Sequence, residues 1–489
     1  IATTVIFSRN VGNMFQHLKG FRDFYPEDCA VRNRLFFIMW QCARSFNFTE
    51  YDAPILEPLE LFTKKSGEEI ANQLFNFEDR GGRSVALRPE VTPSLIRMVG
   101  AKIHSLPKPI QWYSIGECFR YERPQKGRLR SFYQFNADIL GEESPNADAE
   151  VIALGIHILQ SLRLGPEDFH VRLSDRQLWT LFLKSQGIAE SDLEDALKCI
   201  DQSEKKGTDA LQESLSQLPS VQSKQIPLGK LLMNIGEFKA LSTTNAISKF
   251  FDRQPFDRSE DRCVLQQRLA SMEQLLFRLQ TMGYGDYITL DLSIVRGLAY
   301  YTGFVFEFFE REGRMRALAG GGRYDDLATK LGCSKTNIPA VGLAMGDVTL
   351  RQLLEDKGKL SDAQAYIYPW RADIALLFDS PKAKAWALED ATQLRQKGYV
   401  VTYNLSEKQM PITKQLEQIK AQNTAHYIGI YGENPDQVEI YDVDNNTRCS
   451  IPREKFRNID FHSSSQDPLA PFRLPKTIES IQDDSLALP

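Results

Sequence analysis

The 489-residue chain has no apolar run approaching the length of a membrane span, which excludes an integral helical membrane protein. Its seven cysteines (Cys29, Cys42, Cys118, Cys199, Cys263, Cys333 and Cys449) are odd in number and dispersed, with no CxxC pair. That distribution argues against a disulfide scaffold and for reduced thiols in the cytoplasm. Six scattered histidines add no zinc spacing. Neither a Walker A string nor GxGxxG occurs, so the P-loop and Rossmann fingerprints are missing. Net charge is small, −5, which disfavours non-specific nucleic-acid binding but leaves room for local basic patches. Residues 1–13 carry one short apolar run and no small-residue cleavage site, so no signal peptide is expected. Met14 heads MFQHLKGFRDFYPED, and 1–13 reads as an extension ahead of it.

What is present is a long chain of ordinary globular composition, enough for two to four domains. The most informative stretch runs from Phe119 to Gly141, FRYERPQKGRLRSFYQFNADILG. It reads as strand, basic loop, strand. Arg120 and Glu122 alternate with Phe119 and Tyr121, which puts them on one face of the first strand. Gln134, Asn136 and Asp138 alternate with apolar neighbours on the second. Arg123, Lys126, Arg128 and Arg130 make the loop cationic, which suits phosphate oxygens. Alternation alone fits an exposed hairpin with a solvated basic turn equally well.

The chain around it organises as follows. Pro26-Glu27-Asp28 opens a helix to about Phe46, followed by a strand at Phe48–Ile55. Two short segments at Leu74–Asp79 and Ser84–Leu87 flank a hairpin turn. In ALRPEVTPSLIRM, Glu90 and Thr92 sit two apart between Pro89 and Pro93, either presenting polar groups at a strand end or capping a helix. Asp148–Leu162 reads as an amphipathic helix and Phe169–Leu173 as a strand. From about Asp175 to Leu279 the chain is polar and helical, with no chemistry apparent in its residues. In TLDLSIVRGLAYYTGFVFEF, Arg296 interrupts two apolar strands ahead of Tyr300 and Tyr301; it would need an anion if buried and could snorkel if not. Ala319-Gly320-Gly321-Gly322-Arg323-Tyr324-Asp325 permits close backbone approach to a ligand. After a linker at Ser361–Pro369, alternating strands and helices from 371 to 459 predict a small α/β domain. The tail 460–489 is expected to be disordered.

Six strings bear a family resemblance. FRYERPQKGRLRSFYQ resembles motif 2 of class II aminoacyl-tRNA synthetases, and specifically that of histidyl-tRNA synthetases. LRPE-x-T, VRGLAYYTG and AGGGRYD resemble that family's further signatures, with Ala299 where an Asp is usual. The opening helix with YDAPILEPLELF looks like the dimer-forming motif 1. PAVGLAMGDVTLRQLL resembles motif 3 but carries Val348-Thr349 where the family has Glu-Arg, whose Arg holds ATP; either Arg351 or an arginine of motif 2 compensates, or ATP binding is weakened.

The resemblance implies an α+β fold: an antiparallel class II catalytic domain over 14–174 and 280–358, a helical insertion over 175–279 that contacts tRNA, and a C-terminal α/β anticodon-binding domain over 371–459. It implies ligation of L-histidine to tRNA(His) with ATP and Mg2+ in a homodimer. Arg120, Glu122, Arg128 and Arg296 would hold ATP, with Arg120 and Arg296 catalytic. Glu90, Thr92, Gln134, Asp138, Tyr300, Tyr301 and Tyr324 would hold histidine, and Arg123 and Gln125 would meet the tRNA acceptor end. No protein metal motif is implied. The alternative is a catalytically inactive paralogue serving as a histidine-sensing regulatory subunit of ATP phosphoribosyltransferase.

Overall fold

The computed structural model describes residues 15–64, 73–255, 259–295, 300–360, 371–406, 410–422 and 424–459, with the backbone alone for 204–206. The extension 1–13, the linker at 361–369, the tail 460–489 and Arg296 lie outside the described residues. Among the described residues the chain divides into two compact units, one of 15–25 with 32–360, the other of 26–31 with 371–459.

In the first unit the strands, in chain order, are β1 (Thr49–Glu50), β2 (Leu56–Pro58), β3 (Phe75–Glu78), β4 (Ser84–Leu87), β5 (Ile110–Phe119), β6 (Ser131–Leu140), β7 (Phe169–Asp175), β8 (Ile288–Leu290), β9 (Phe304–Glu310), β10 (Ala319–Arg323) and β11 (Ala340–Gly346). Eight form one sheet in the order β1-β5-β6-β11-β10-β9-β7-β8. Every pair from β5 to β7 is antiparallel, and parallel β1 and β8 close the edges. β2, β4 and β3 form a separate small sheet.

One element differs from its sequence reading. The strand expected over Phe48–Ile55 is cut to Thr49–Glu50, its pairing ending as Tyr51 N–H donates to the Tyr113 carbonyl at 2.9 Å. Pro54, with no N–H to give, cannot extend the ladder. The helix Pro145–Ser161 keeps only a narrow polar stripe: Ala149, Val151, Ile152, Ala153, Leu154 and Ile156 are all buried, while Asn146, Glu150, His157 and Ser161 keep some exposure on one side. It packs on β11 and on the helix Ser259–Thr281, which leaves that one side to solvent. Its start is set by Ser144, whose side chain accepts from Asn146 N–H, and by Pro145 in the first turn.

The segment between β7 and β8 is helical and carries its own aromatic core. Phe182 and Phe238 stack at 4.5 Å, with Trp179, Phe250 and Phe251 packed around them. All five are fully buried, each contributing roughly 1.5–3 kcal/mol of apolar burial. Buried Asp175 caps the helix Arg176–Ser185 through Leu178 N–H at 2.9 Å and accepts from Arg268 Nε at 3.0 Å, which fastens the segment to the end of β7.

The second unit is a five-stranded sheet, β13-β12-β14-β15-β16, of β12 (Ala372–Phe378), β13 (Val401–Tyr403), β14 (Ala425–Tyr431), β15 (Gln437–Asp442) and β16 (Thr447–Pro452). β12 lies between two parallel neighbours with apolar clusters on both faces, which is why ADIALLF is a continuous apolar run rather than an alternating one. Its polar centre is Asp390, fully buried on the helix Pro381–Gln396. Asp390 accepts from Tyr431 Oη at 2.7 Å, Arg453 Nε at 2.7 Å and Arg457 Nε at 2.6 Å. Asp390→Ala leaves two guanidiniums without their buried anion. It should cost this unit about 3–5 kcal/mol in chemical denaturation; a loss below about 1 kcal/mol would show that Glu389 alone suffices as their partner.

Candidate active site

β6 carries Gln134, Asn136 and Asp138 on one face, all buried. A buried polar row in mid-sheet needs space, and the register shows where it comes from. Gln134 lies between Gly116 and Gly346, Asn136 between Ser114 and Ala344, and Asp138 between Trp112 and Gly342. Directly opposed residues share a face, so Gly320 and Gly322 of β10, opposite Ala344 and Gly342, continue the same floor. A Cβ at Gly342 would stand 2.0 Å from Asp138 Oδ1. One at Gly322 would stand 2.6 Å from the Phe304 carbonyl oxygen and 2.9 Å from the Tyr301 ring. These glycines are there for close approach, not for flexibility.

At the inner end of the floor the acids and tyrosines meet. Tyr324 Oη donates to Asp138 Oδ1 at 2.5 Å, and Tyr300 Oη donates to Glu90 Oε2 at 2.9 Å. The Tyr300 ring lies 5.0 Å from Tyr301 and 6.0 Å from Tyr324. Burial, reinforced by the charge of Glu90 and opposed by the Tyr324 hydrogen bond, pushes the Asp138 carboxyl up to about 7. Asp138 Oδ2 is buried with no hydrogen-bond partner among the described residues. Tyr51, which sequence reasoning did not single out, packs into the same cluster, its hydroxyl also buried without a partner there. Burial and then the charge of Asp138 raise its pKa. Thr92 is the buried first residue of the helix Thr92–Lys102, two positions past Glu90. The pocket offers two carboxylates and tyrosine walls: a place for a small ring bearing N–H donors and for an ammonium group.

At the other end stands the loop. β5 stops at Phe119, so Arg120 and Glu122 belong to the loop and not, as the alternation predicts, to one face of the strand. The last bond of the ladder is Arg120 N–H to the Arg130 carbonyl at 2.9 Å; Arg130 N–H does not return it but donates to the Gly20 carbonyl at 2.8 Å, and Glu122 N–H turns back to the Arg120 carbonyl. Arg120 Nε donates to the Pro89 carbonyl at 3.0 Å, and its guanidinium lies 5.1 Å over the Phe132 ring. That contact sets Arg120 beside the Glu90 segment. Gln125 and Arg128 exchange backbone hydrogen bonds of 3.0 and 2.9 Å around Gly127, whose φ of +75° favours glycine. Arg128 pairs with Glu122. Arg123 and the Gln125 side chain are exposed.

Two further residues shape this end. Thr349, in the first turn of the helix Asp347–Asp356, is buried, its hydroxyl 3.5 Å from the Ala317 carbonyl. Arg316, overlooked in the sequence because it sits in an unpatterned loop, is exposed, and partial desolvation of its guanidinium, then the charge of Arg128 against that of Glu122, lowers its pKa. Arg323 of the glycine string belongs to neither end. Its guanidinium grips Asp148 in a bidentate pair, with Nε–Oδ1 at 3.2 Å, and caps the Glu142 and Ser144 carbonyls at 3.0 and 3.2 Å.

The structure thus brings Glu90, Thr92, Asp138, Tyr300, Tyr301 and Tyr324 to one pocket. Gln134 lies at the start of the polar row, and Arg120, Glu122 and Arg128 stand at the loop. Among the described residues no three His, Cys, Asp or Glu side chains group to hold a metal ion.

Comparison with known proteins gives a consistent picture. Residues 20–350 match the family model described as Histidyl-tRNA synthetase. The chain is 43% identical over 458 residues to the histidine–tRNA ligase of Opitutus terrae, covering 92% of this chain and 99% of that one. It is 33% identical to the histidine–tRNA ligase of Haloarcula marismortui, over 91% of this chain and 97% of the relative. The crystal structure of histidyl-tRNA synthetase from Nostoc sp. PCC 7120 superposes with a TM-score of 0.66 at 21% identity, over 91% of this chain and 98% of that chain, a likeness of fold.

The Asp138 carboxyl, raised from 3.8 to about 7 in the folded chain, binds its proton more tightly there than in the unfolded chain. Stability from this group is therefore full below about pH 4, declines as pH rises toward 7 and is flat above. Relative to Asp138→Asn, wild-type stability measured by denaturation should fall across that window by on the order of a few kcal/mol. A constant difference between the two proteins would refute the shift.

Proposed function

The chain belongs to the histidyl-tRNA synthetase family, and from that premise we propose that it ligates L-histidine to tRNA(His) with ATP through a histidyl-adenylate. The observation that carries the reading is the two-ended row on β6: an acid and tyrosine pocket at Asp138 and an arginine loop beyond Gln134. A substrate with a cationic or N–H-bearing ring at one end and phosphate at the other fits that polarity.

In the first step a carboxylate oxygen of histidine attacks the α-phosphorus of ATP. An O–P bond forms, the bond to the bridging oxygen breaks, and pyrophosphate leaves. In the second, a ribose hydroxyl of the terminal adenosine of tRNA attacks the activated carbonyl and AMP leaves. The first step moves no proton in its bond changes, so positioning and charge neutralisation supply the acceleration. Asp138 and Tyr324 read the imidazole, with Tyr301 against it. Glu90, Thr92 and Gln134 receive the ammonium, and Tyr300 holds Glu90 in place. Arg120 neutralises the α-phosphate, and Arg296 neutralises the charge between carboxylate and α-phosphate. Glu122 orients the adenine side, and Arg128 meets the outer phosphates. Mg2+ enters as the nucleotide's own counter-ion. Arg123 and Gln125, exposed on the loop, meet the tRNA acceptor end. The α/β unit reads the anticodon, and the protein acts as a cytoplasmic homodimer. No helix among the described residues is long and apolar enough to cross a membrane.

Imidazole recognition by buried polar groups is a strong discriminator, since an analogue lacking the ring nitrogens leaves the buried Asp138 Oδ2 unpaired. ATP–pyrophosphate exchange should therefore proceed with histidine and with no other amino acid. Binding of histidine without exchange would instead favour a regulatory paralogue. Arg296→Ala should lower exchange by roughly 30-fold or more while the unfolding midpoint stays unchanged; near-normal exchange would remove Arg296 from the reaction.

A further inference from the structure

We propose that Arg316 is a nucleotide-binding residue, whose guanidinium joins that of Arg128 in holding the β- and γ-phosphates of ATP. The inference rests on the reading of the chain as an ATP-using synthetase and names a residue for the part of the site that Thr349 leaves without a charge.

Placement comes first. β10 begins at Ala319, opposite Met345 of β11 and Phe308 of β9, and Leu318 N–H still donates to the Phe308 carbonyl at 2.8 Å. Arg316 lies just before that strand, at the edge of the sheet where β11 ends at Gly346 and Gln134 starts the polar row. The arginine loop and the helix Asp347–Asp356 meet there too. Thr349 is the point of convergence. Its hydroxyl is 3.5 Å from the Ala317 carbonyl, and its methyl is 3.4 Å from where a Cβ on Gly127 would stand. Arg316 precedes Ala317 and Arg128 follows Gly127, so the two arginines belong to two different loops that meet at the buried threonine.

Charge comes second. Arg128 is paired with Glu122. Arg316 makes no hydrogen bond or ion pair among the described residues, yet it lies within the fields of both Arg128 and Glu122. Two cations thus share one carboxylate, and the surplus positive charge disfavours Arg316 in the free chain. A polyphosphate between the two guanidiniums turns that repulsion into a bidentate anion clamp. The neighbouring arginines are otherwise engaged: Arg22 donates to Asp347 at 2.7 Å, and Arg351 donates to Glu355 at 3.0 Å. Arg351 is thus held on its own helix, whereas Arg316 comes to the Thr349 end from the loop ahead of β10.

Arg316 is exposed in a loop, so its replacement should leave the fold standing. The test is ATP–pyrophosphate exchange with wild type, Arg316→Ala and Arg316→Lys, together with direct binding of ATP, inorganic pyrophosphate and AMP. Arg316→Ala should raise KM for ATP roughly 10- to 100-fold and weaken pyrophosphate similarly. KM for histidine and affinity for AMP should stay within about twofold. Arg316→Lys should recover part of the loss, since it restores charge without the planar fork. An unchanged KM for ATP in Arg316→Ala overturns the assignment. So does an equal loss for AMP and ATP, or a defect confined to aminoacylation of tRNA with exchange intact. Absence of exchange in wild type would overturn the functional reading itself, which separates the two failures.

Discussion

The constraint on which this architecture turns is room for a buried carboxylate in the middle of an eight-stranded sheet. Asp138 sits where a sheet interior would ordinarily carry an apolar side chain. It can do so because its neighbour across β11 is Gly342, which leaves the space that any Cβ would take. Gly116, beside Gln134, makes room in the same way for the buried Arg88 guanidinium, and small Ser114 and Ala344 flank Asn136. The result is a polar trough in a rigid support. Side chains on paired strands are held more tightly than side chains on loops, which is what positional catalysis requires. Desolvation carries a cost here, seen in the upward shift of Asp138, and the same desolvation makes the recognition of ring nitrogens selective.

The trough is held at its rim by ion pairs that do no chemistry. Arg323 ties the end of β10 to the helix Pro145–Ser161 through Asp148, and its neighbour Tyr324 is thereby aimed at Asp138. Buried Asp347 accepts from Tyr133 N–H at 2.9 Å and from Arg22, fixing the start of its helix against β6. Buried pairs of this kind contribute little net stability against an apolar alternative. Their value is that they hold strand ends and loops in register around the site. The opposite end is looser by design. The loop over Arg120–Arg130 is pinned by backbone bonds to Arg88 and Gly20 and by a tight turn at Gly127, while Arg123 and Gln125 remain exposed. A rigid pocket for the small substrate and an accessible loop for larger partners thus lie at two ends of one strand pair.

Much of this was legible in the linear chain. The alternation in SFYQFNADIL determined which residues of β6 share a face, because side chains alternate whatever the surroundings. The paired strands flanking Gly81-Gly82, the helix opened by Pro26 and the α/β pattern from 371 onward followed from turn chemistry and periodicity alone. The string FRYERPQKGRLRSFYQ, with LRPE-x-T and AGGGRYD, identified the family, since spacing that specific survives without any knowledge of the fold.

What the chain by itself could not determine depends on contacts between residues far apart in sequence. Alternation placed Arg120 and Glu122 on a strand, but Gly20, brought in from a separate segment, takes the Arg130 N–H that would have continued the ladder and makes them loop residues. Periodicity marked Asp148–Leu162 as a helix, but only packing on two sides explains why its polar stripe is so narrow. The roles of Tyr51 and Arg316 were invisible because neither sits in a patterned stretch; each is defined by its distance to Asp138, Arg128 or Glu122, more than eighty residues away in every case. The sequence alone determined periodicity, turns and family, which are local properties of side-chain type and order. Only the tertiary structure decided which polar groups are buried together, because burial and electrostatic coupling arise from the register between strands.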